Sequence, residues 1–146
     1  MKTPSGWATL RCVVKFNTIN GMSKICSLEN GLKITPGHPV MDNGKWVFPR
    51  EVVQPREQRC DAVYNLVVDR EHIVIVNKVP LILMGHDYKE GILKHDYYGS
   101  QKVIDDLSKQ SGWTQGFVEF NAGSFVKQRR AGAHQNATAA LTNCLN

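Results

Sequence analysis

The sequence predicts an all-β domain with a single helix late in the chain, and three features carry that expectation. Runs rich in valine, isoleucine and other β-formers recur as short blocks through the first 85 residues. Clusters of Pro, Gly, Asn and Asp punctuate the gaps between those blocks. Apolar residues fall at helical spacing only beyond Ser100. Short strands joined by tight turns close into a compact β-fold, because each half-buried strand needs partners on both edges.

In chain order, Ala8 to Lys15 reads as a strand that enters a hairpin through the turn signal Asn17-Thr18-Ile19-Asn20-Gly21. Asn30-Gly31, between Ile25 to Leu28 and Leu32 to Thr35, predicts a second strand pair. Pro36-Gly37, Asp42-Asn43-Gly44 and Pro49 mark further turns. Ala62 to Val68 and His72 to Val76 are dense in β-formers and flank Asp69-Arg70-Glu71, which predicts another hairpin. The texture changes at Met84-Gly85-His86. Ser100 is placed to cap a helix whose Val103, Ile104 and Leu107 share one face and which ends near Gly112. A last strand is expected over Gly116 to Val126. Residues 1–126 form the domain on this reading, and 127–146 form an irregular, mobile tail.

A chain of 146 residues with 42% apolar content suffices for one domain with its own core. No apolar run approaches the ~18 residues of a membrane span, and the first residues lack the apolar stretch of a secretory signal. The expectation is a soluble, cytoplasmic chain without a membrane partner. The formal charge of +5 comes from 18 basic and 13 acidic residues scattered among one another. Lys127-Gln128-Arg129-Arg130 is the one local cluster, which is smaller than a nucleic-acid footprint. Cys12, Cys26, Cys60 and Cys144 lack any C-x-x-C spacing, which excludes a zinc ribbon or a thioredoxin motif and leaves buried thiols as the expectation. Trp7, Trp46 and Trp113 are read as core packing.

The chemistry centres on Thr35-Pro36-Gly37-His38. Pro36 and Gly37 suit the central positions of a type II turn, which would bring the threonine hydroxyl and the imidazole toward one point. Such a pair can bond to a peptide, protonate its nitrogen and make that nitrogen a better leaving group. A nucleophile, usually cysteine, must then reach the carbonyl. On the tetrapeptide alone, a histidine bonded only to hold a turn remains the competing reading.

The longer context resembles a known family. Asn30 through Val40, followed by Lys45-Trp46-Val47, resembles the Thr-x-x-His motif of the Hint superfamily, the Hedgehog autoprocessing domains and inteins. Val63-Tyr64-Asn65-Leu66-Val67-Val68-Asp69-Arg70-Glu71-His72 and Ile73 to Val76 resemble the paired strands near the end of such domains. Through Met84-Gly85-His86-Asp87, His95-Asp96-Tyr97-Tyr98-Gly99, Trp113 and Gly116, the chain looks most like the vint group, which accompanies von Willebrand A domains. The resemblance covers about Gly6 to Val126.

It implies a Hint-type fold with a helix-containing extension, and self-cleavage in which a leading cysteine attacks the carbonyl before it by an N-to-S acyl shift. Thr35 and His38 would activate the scissile peptide, and His72 would assist later steps. Asn65 falls where many inteins carry an aspartate or cysteine, and Asp61 and His86 stand beside it as accessory candidates. No cysteine here has the expected leading context, so the nucleophile and the first strands would lie ahead of the chain, and the chain alone would be inactive. The implied partner is a linked upstream segment, such as a von Willebrand A domain, or a complementing N-terminal Hint fragment. Gly85-His86-Asp87 replaces the terminal His-Asn of inteins, which favours Hedgehog-like cleavage over splicing.

No cofactor is required by that chemistry. A different function would use His86-Asp87 and His95-Asp96 as ligands for zinc or another divalent ion in a noncatalytic binding module. The same histidines could instead anchor the added helical segment through hydrogen bonds.

Overall fold

The computed structural model describes residues 1–122 and 141–142 of the chain. Its strands are β1 (Lys2–Thr3), β2 (Gly6–Trp7), β3 (Leu10–Asn17), β4 (Met22–Ser27), β5 (Lys33–Ile34), β6 (Val40–Asp42) and β7 (Lys45–Val47). They continue with β8 (Arg56–Arg59), β9 (Ala62–Val68), β10 (Ile73–Val76), β11 (Val79–Ile82), β12 (Phe117–Phe120) and β13 (Leu141–Thr142), and the helix α1 spans Gln101–Ser108. A seven-stranded sheet runs β12-β3-β9-β13-β5-β4-β8, a four-stranded sheet runs β10-β11-β6-β7, and β1-β2 stand apart as a pair. The all-β architecture with a late helix is as the sequence predicts. Among the described residues no helix is long and apolar enough to cross a membrane.

β9 is the organising strand. Leu66 and Val68 pack with Val40, Val74, Leu81 and Leu83 of the four-stranded side. Val67, on the opposite face, packs with Cys12, Val14, Met84 and the helix residues Val103, Ile104 and Leu107. A strand buried on both faces carries apolar residues at nearly every position, which is why its sequence lacks the alternation of a half-exposed strand. Ser100 caps α1 as expected, its Oγ accepting from the Lys102 amide at 3.2 Å.

Several expected pairings are replaced. β4 pairs with β5 and β8, while β3 pairs with β9 and, in parallel, with β12; the turn after β3 is closed only by an Ile19 to Met22 bridge. The segments Ala62–Val68 and Ile73–Val76 are not a hairpin but belong to different sheets. Two consecutive left-handed residues, Glu71 (φ 63°) and His72 (φ 56°), send the chain from one sheet to the other. Glu71 is held there by hydrogen bonds from the Thr3 and Ser5 hydroxyls. The true neighbour of β10 is β11, joined through Asn77-Lys78, both left-handed.

Asn30-Gly31 does join β4 to β5, in a longer loop where Gly31 (φ 88°) donates to Leu28 O at 2.9 Å. Asn43-Gly44 makes the two-residue turn between β6 and β7. Trp7 is 72% exposed, against the expectation of core packing, because β1-β2 lies outside both main sheets. Trp113 is half-buried, with the Arg11 guanidinium 5.6 Å from its ring centroid. The expected last strand is found over Phe117–Phe120; its continuation beyond residue 122, Lys127 to Arg130, Cys144 and most of the predicted tail lie outside the described residues. Within that tail, Leu141–Thr142 form the strand β13 between β9 and β5.

Candidate functional site

A cavity of about 240 Å³ opens where the two main sheets meet the helix-bearing segment. The loop from β5 to β6 supplies Gly37, His38 and Pro39, β9 supplies Asn65, and the end of β11 with the residues after it supplies Ile82, Leu83 and Met84. His86, Leu93, His95 and Tyr98 enter from the segment that precedes α1, and Phe48 closes the side next to β7. The lining is mostly apolar with a few convergent polar groups, as expected of a small-ligand or reaction site.

His38 is the best-defined polar group. The turn that carries it is closed by its own amide donating to Thr35 O at 3.3 Å. Gly37 is not at positive φ, so the turn is not the type II that the sequence predicts. The His38 side chain is 1% exposed, and its Nε2 bonds the Ile82 carbonyl at 2.5 Å. A carbonyl only accepts, so Nε2 carries the proton and Nδ1 carries the lone pair. That Nδ1 is fully buried and has no hydrogen-bond partner among the described residues. Burial lowers the imidazole pKa to about 4 against the help of the Ile82 bond, so the ring is neutral at pH 7.

Thr35 is buried at the start of the turn but does not line the cavity. His72 does not line it either; its Nδ1 bonds Met84 O at 3.1 Å, and burial lowers its pKa. His38 and His72 thus grip the same short segment, Ile82 to Met84, from two places. Asn65 is buried on the cavity wall, with its Oδ1 accepting from the Leu66 amide at 2.9 Å. Asp61 sits exposed ahead of β9, where its backbone oxygen receives Thr18, and takes no part in the cavity.

The candidate metal set is not gathered. His86 and His95 reach the cavity, but each uses Nδ1 to accept backbone amides of its own turn: Tyr88 N at 2.9 Å for His86, and Tyr97 N at 3.1 Å and Tyr98 N at 2.9 Å for His95. Asp87 is exposed and pairs with Lys89 at 2.6 Å, and Asp96 is exposed. No group of three His, Cys, Asp or Glu residues stands at metal-binding spacing among the described residues. The anchoring reading of these histidines fits the geometry. Burial, with His72 and His95 nearby, lowers the His86 pKa to about 4.

None of the described cysteines reaches the cavity. Cys12, Cys26 and Cys60 are buried in three separate apolar clusters, and burial raises the thiol pKa of Cys12 and Cys26, which makes both poor nucleophiles. Phe48 and the Ile82 carbonyl were invisible as site elements in the sequence, the first because an aromatic residue reads as core and the second because a main-chain atom has no residue signature.

A family model described as Vint, a Hint-domain, matches residues 1–135. No curated protein matches the chain.

Proposed function

The chain belongs to the Vint Hint-domain family, a self-processing domain in kind, and on that footing we propose that His38 drives cleavage of a peptide bond seated in the cavity. The observation that carries the reading is His38 itself: the residue lines the cavity, its Nε2 is tied to Ile82 O, and its buried Nδ1 bears a lone pair with no hydrogen-bond partner among the described residues. A thiol attacking the carbonyl forms a C–S bond and gives up its proton to Nδ1. The imidazolium so formed gives its proton up readily, because burial lowers its pKa to about 4. It returns the proton to the amide nitrogen as the C–N bond breaks, leaving a thioester and a free amine.

The Thr35 turn and the Ile82 bond hold the ring in place for both transfers, and Asn65 lines the same cavity as an accessory polar group. His72 supports the site indirectly, by fixing the Ile82 to Met84 segment through Met84 O. The nucleophile comes from outside the described residues, on a cysteine-led segment either linked upstream or supplied by a complementing fragment. The released protein would be the one linked ahead of that cysteine, a von Willebrand A domain being the candidate.

The test fuses a reporter and the cysteine-led segment of another Vint-family member ahead of Met1. The fusion is expected to release the reporter with dithiothreitol or hydroxylamine, and His38→Ala is expected to leave it intact. A wild-type fusion that stays whole under both nucleophiles, or a His38→Ala fusion that cleaves equally well, overturns the reading.

A further inference from the structure

We propose that the cavity selects the peptide it cleaves by taking in a large apolar side chain, the size of leucine, methionine or phenylalanine, from the residue whose carbonyl is attacked. The inference rests on the self-cleavage reading above and names the substrate class of that same site. Phe48, Ile82, Leu83, Met84, Ile92 and Leu93 line the space. Lys94 is the one lysine, arginine, aspartate or glutamate among the described lining residues, and it is exposed. His38 and His86 are neutral at pH 7, since burial lowers both pKa values to about 4. A charged side chain entering such a space gives up its water, whereas an apolar one gains by leaving water.

Size points the same way. A cavity of about 150 Å³ lined by leucine, isoleucine and phenylalanine accommodates a benzene ring. The cavity here, at about 240 Å³, has room for a ring or a branched aliphatic group beside a peptide unit. On the amine side of the bond stands the cysteine, whose small side chain is engaged in the attack. The group that fills the remaining space therefore comes from the carbonyl side.

Both walls are held before any peptide arrives. On one side, His38 and His72 bond the Ile82 and Met84 carbonyls. On the other, His86 accepts the Tyr88 amide at 2.9 Å and bonds the Leu93 backbone, which ties both ends of the stretch containing Ile92 to one ring. The Phe48 ring lies against the Arg50 guanidinium, 4.2 Å from its centroid, and Glu51 accepts the Phe48 amide at 3.1 Å. A recess with fixed walls loses little freedom on filling, so its shape discriminates between side chains. The peptide is tethered, so this discrimination reads out in the rate, as the fraction of molecules in which the bond is seated beside His38. The proton and acyl transfers themselves are those described above.

In the reporter fusion, the residue directly ahead of the cysteine is set in turn to glycine, alanine, aspartate, leucine and phenylalanine, and release by hydroxylamine is timed. Leucine and phenylalanine are expected to cleave about 10- to 100-fold faster than glycine, with alanine between and aspartate no faster than glycine. Ile92→Trp narrows the cavity and is expected to abolish the advantage of leucine and phenylalanine over alanine, while the alanine fusion still cleaves. Should Ile92→Trp lose its cooperative urea transition, Ile92→Ala reads the same coupling in the other direction, with phenylalanine gaining on leucine. A preference unchanged by substitution at 92 belongs to the peptide's own reactivity and overturns the proposal. Aspartate outpacing leucine overturns it too, in favour of recognition through Lys94. If the wild type cleaves, requires His38 and treats all five residues alike, the inference fails while the self-cleavage reading stands; if no fusion cleaves, both fall.

Discussion

His38→Gln is expected to remove a large part of the acid sensitivity of this fold. The imidazole is 1% exposed, and burial draws its pKa from 6.5 down to about 4. Between those values the unfolded chain binds a proton that the folded chain refuses. Stability from this residue is therefore complete above about pH 6.5, falls as pH drops, and is fully lost below about pH 4. The whole gap is worth roughly 3 kcal/mol at about 1.4 kcal/mol per pH unit, of which roughly 2 kcal/mol disappears between pH 7 and about pH 4.5. Glutamine does not titrate, and its amide N–H can take over the donation to Ile82 O. Urea unfolding followed by tryptophan fluorescence, with wild type and variant at both pH values, isolates the contribution, because every other titrating group is common to the two proteins. The wild type is expected to lose about 2 kcal/mol more than the variant over that interval. Equal losses would refute the assignment of a buried, neutral His38, and with it the lone pair at its Nδ1.

Three further outcomes are expected. Lys78→Gly relieves a left-handed residue (φ 70°) in the turn between β10 and β11 and is expected to raise stability by roughly 0.5–1 kcal/mol in urea titrations. Ser100→Ala removes the acceptor that caps α1 and is expected to cost about 1 kcal/mol, seen as earlier loss of helical ellipticity on heating. Gly99→Ala forces a methyl within 2.9 Å of the His86 ring and 2.7 Å of His95 O. It is expected to cost about 1–3 kcal/mol and to shift the imidazole resonances of both histidines.

Much of the local structure was legible. Asn43-Gly44 has the residues that a tight turn demands, Ser100 stands one position ahead of an apolar helical face, and both do what their chemistry prescribes. His38 was legible because its motif is a local one. Pairing across the sheets was not, since Ala62–Val68 and Ile73–Val76 look alike as strands and only the left-handed Glu71-His72 step separates their sheets. Neither residue announces positive φ, as glycine would. The parallel pairing of β12 with β3 was hidden for a similar reason: register between segments far apart in sequence depends on which faces find partners. The cavity histidines were picked out individually, but their tautomers follow from main-chain atoms of Ile82, Tyr97 and Tyr98, and main-chain atoms are common to every residue type.

The parallel β12–β3 pairing also sets a clock. β3 is complete in the sheet only when Phe117–Phe120 joins it, about a hundred residues later in synthesis. The segment that brings His86, His95 and Tyr98 to the cavity lies between those two strands, with its helix packed on Val14 of one and Val118 and Phe120 of the other. At roughly 5–20 residues per second on the ribosome, the cavity is completed seconds after its first strand emerges. On the proposed self-cleavage function, a protein linked ahead of the domain would have that interval to fold before the bond behind it is cut.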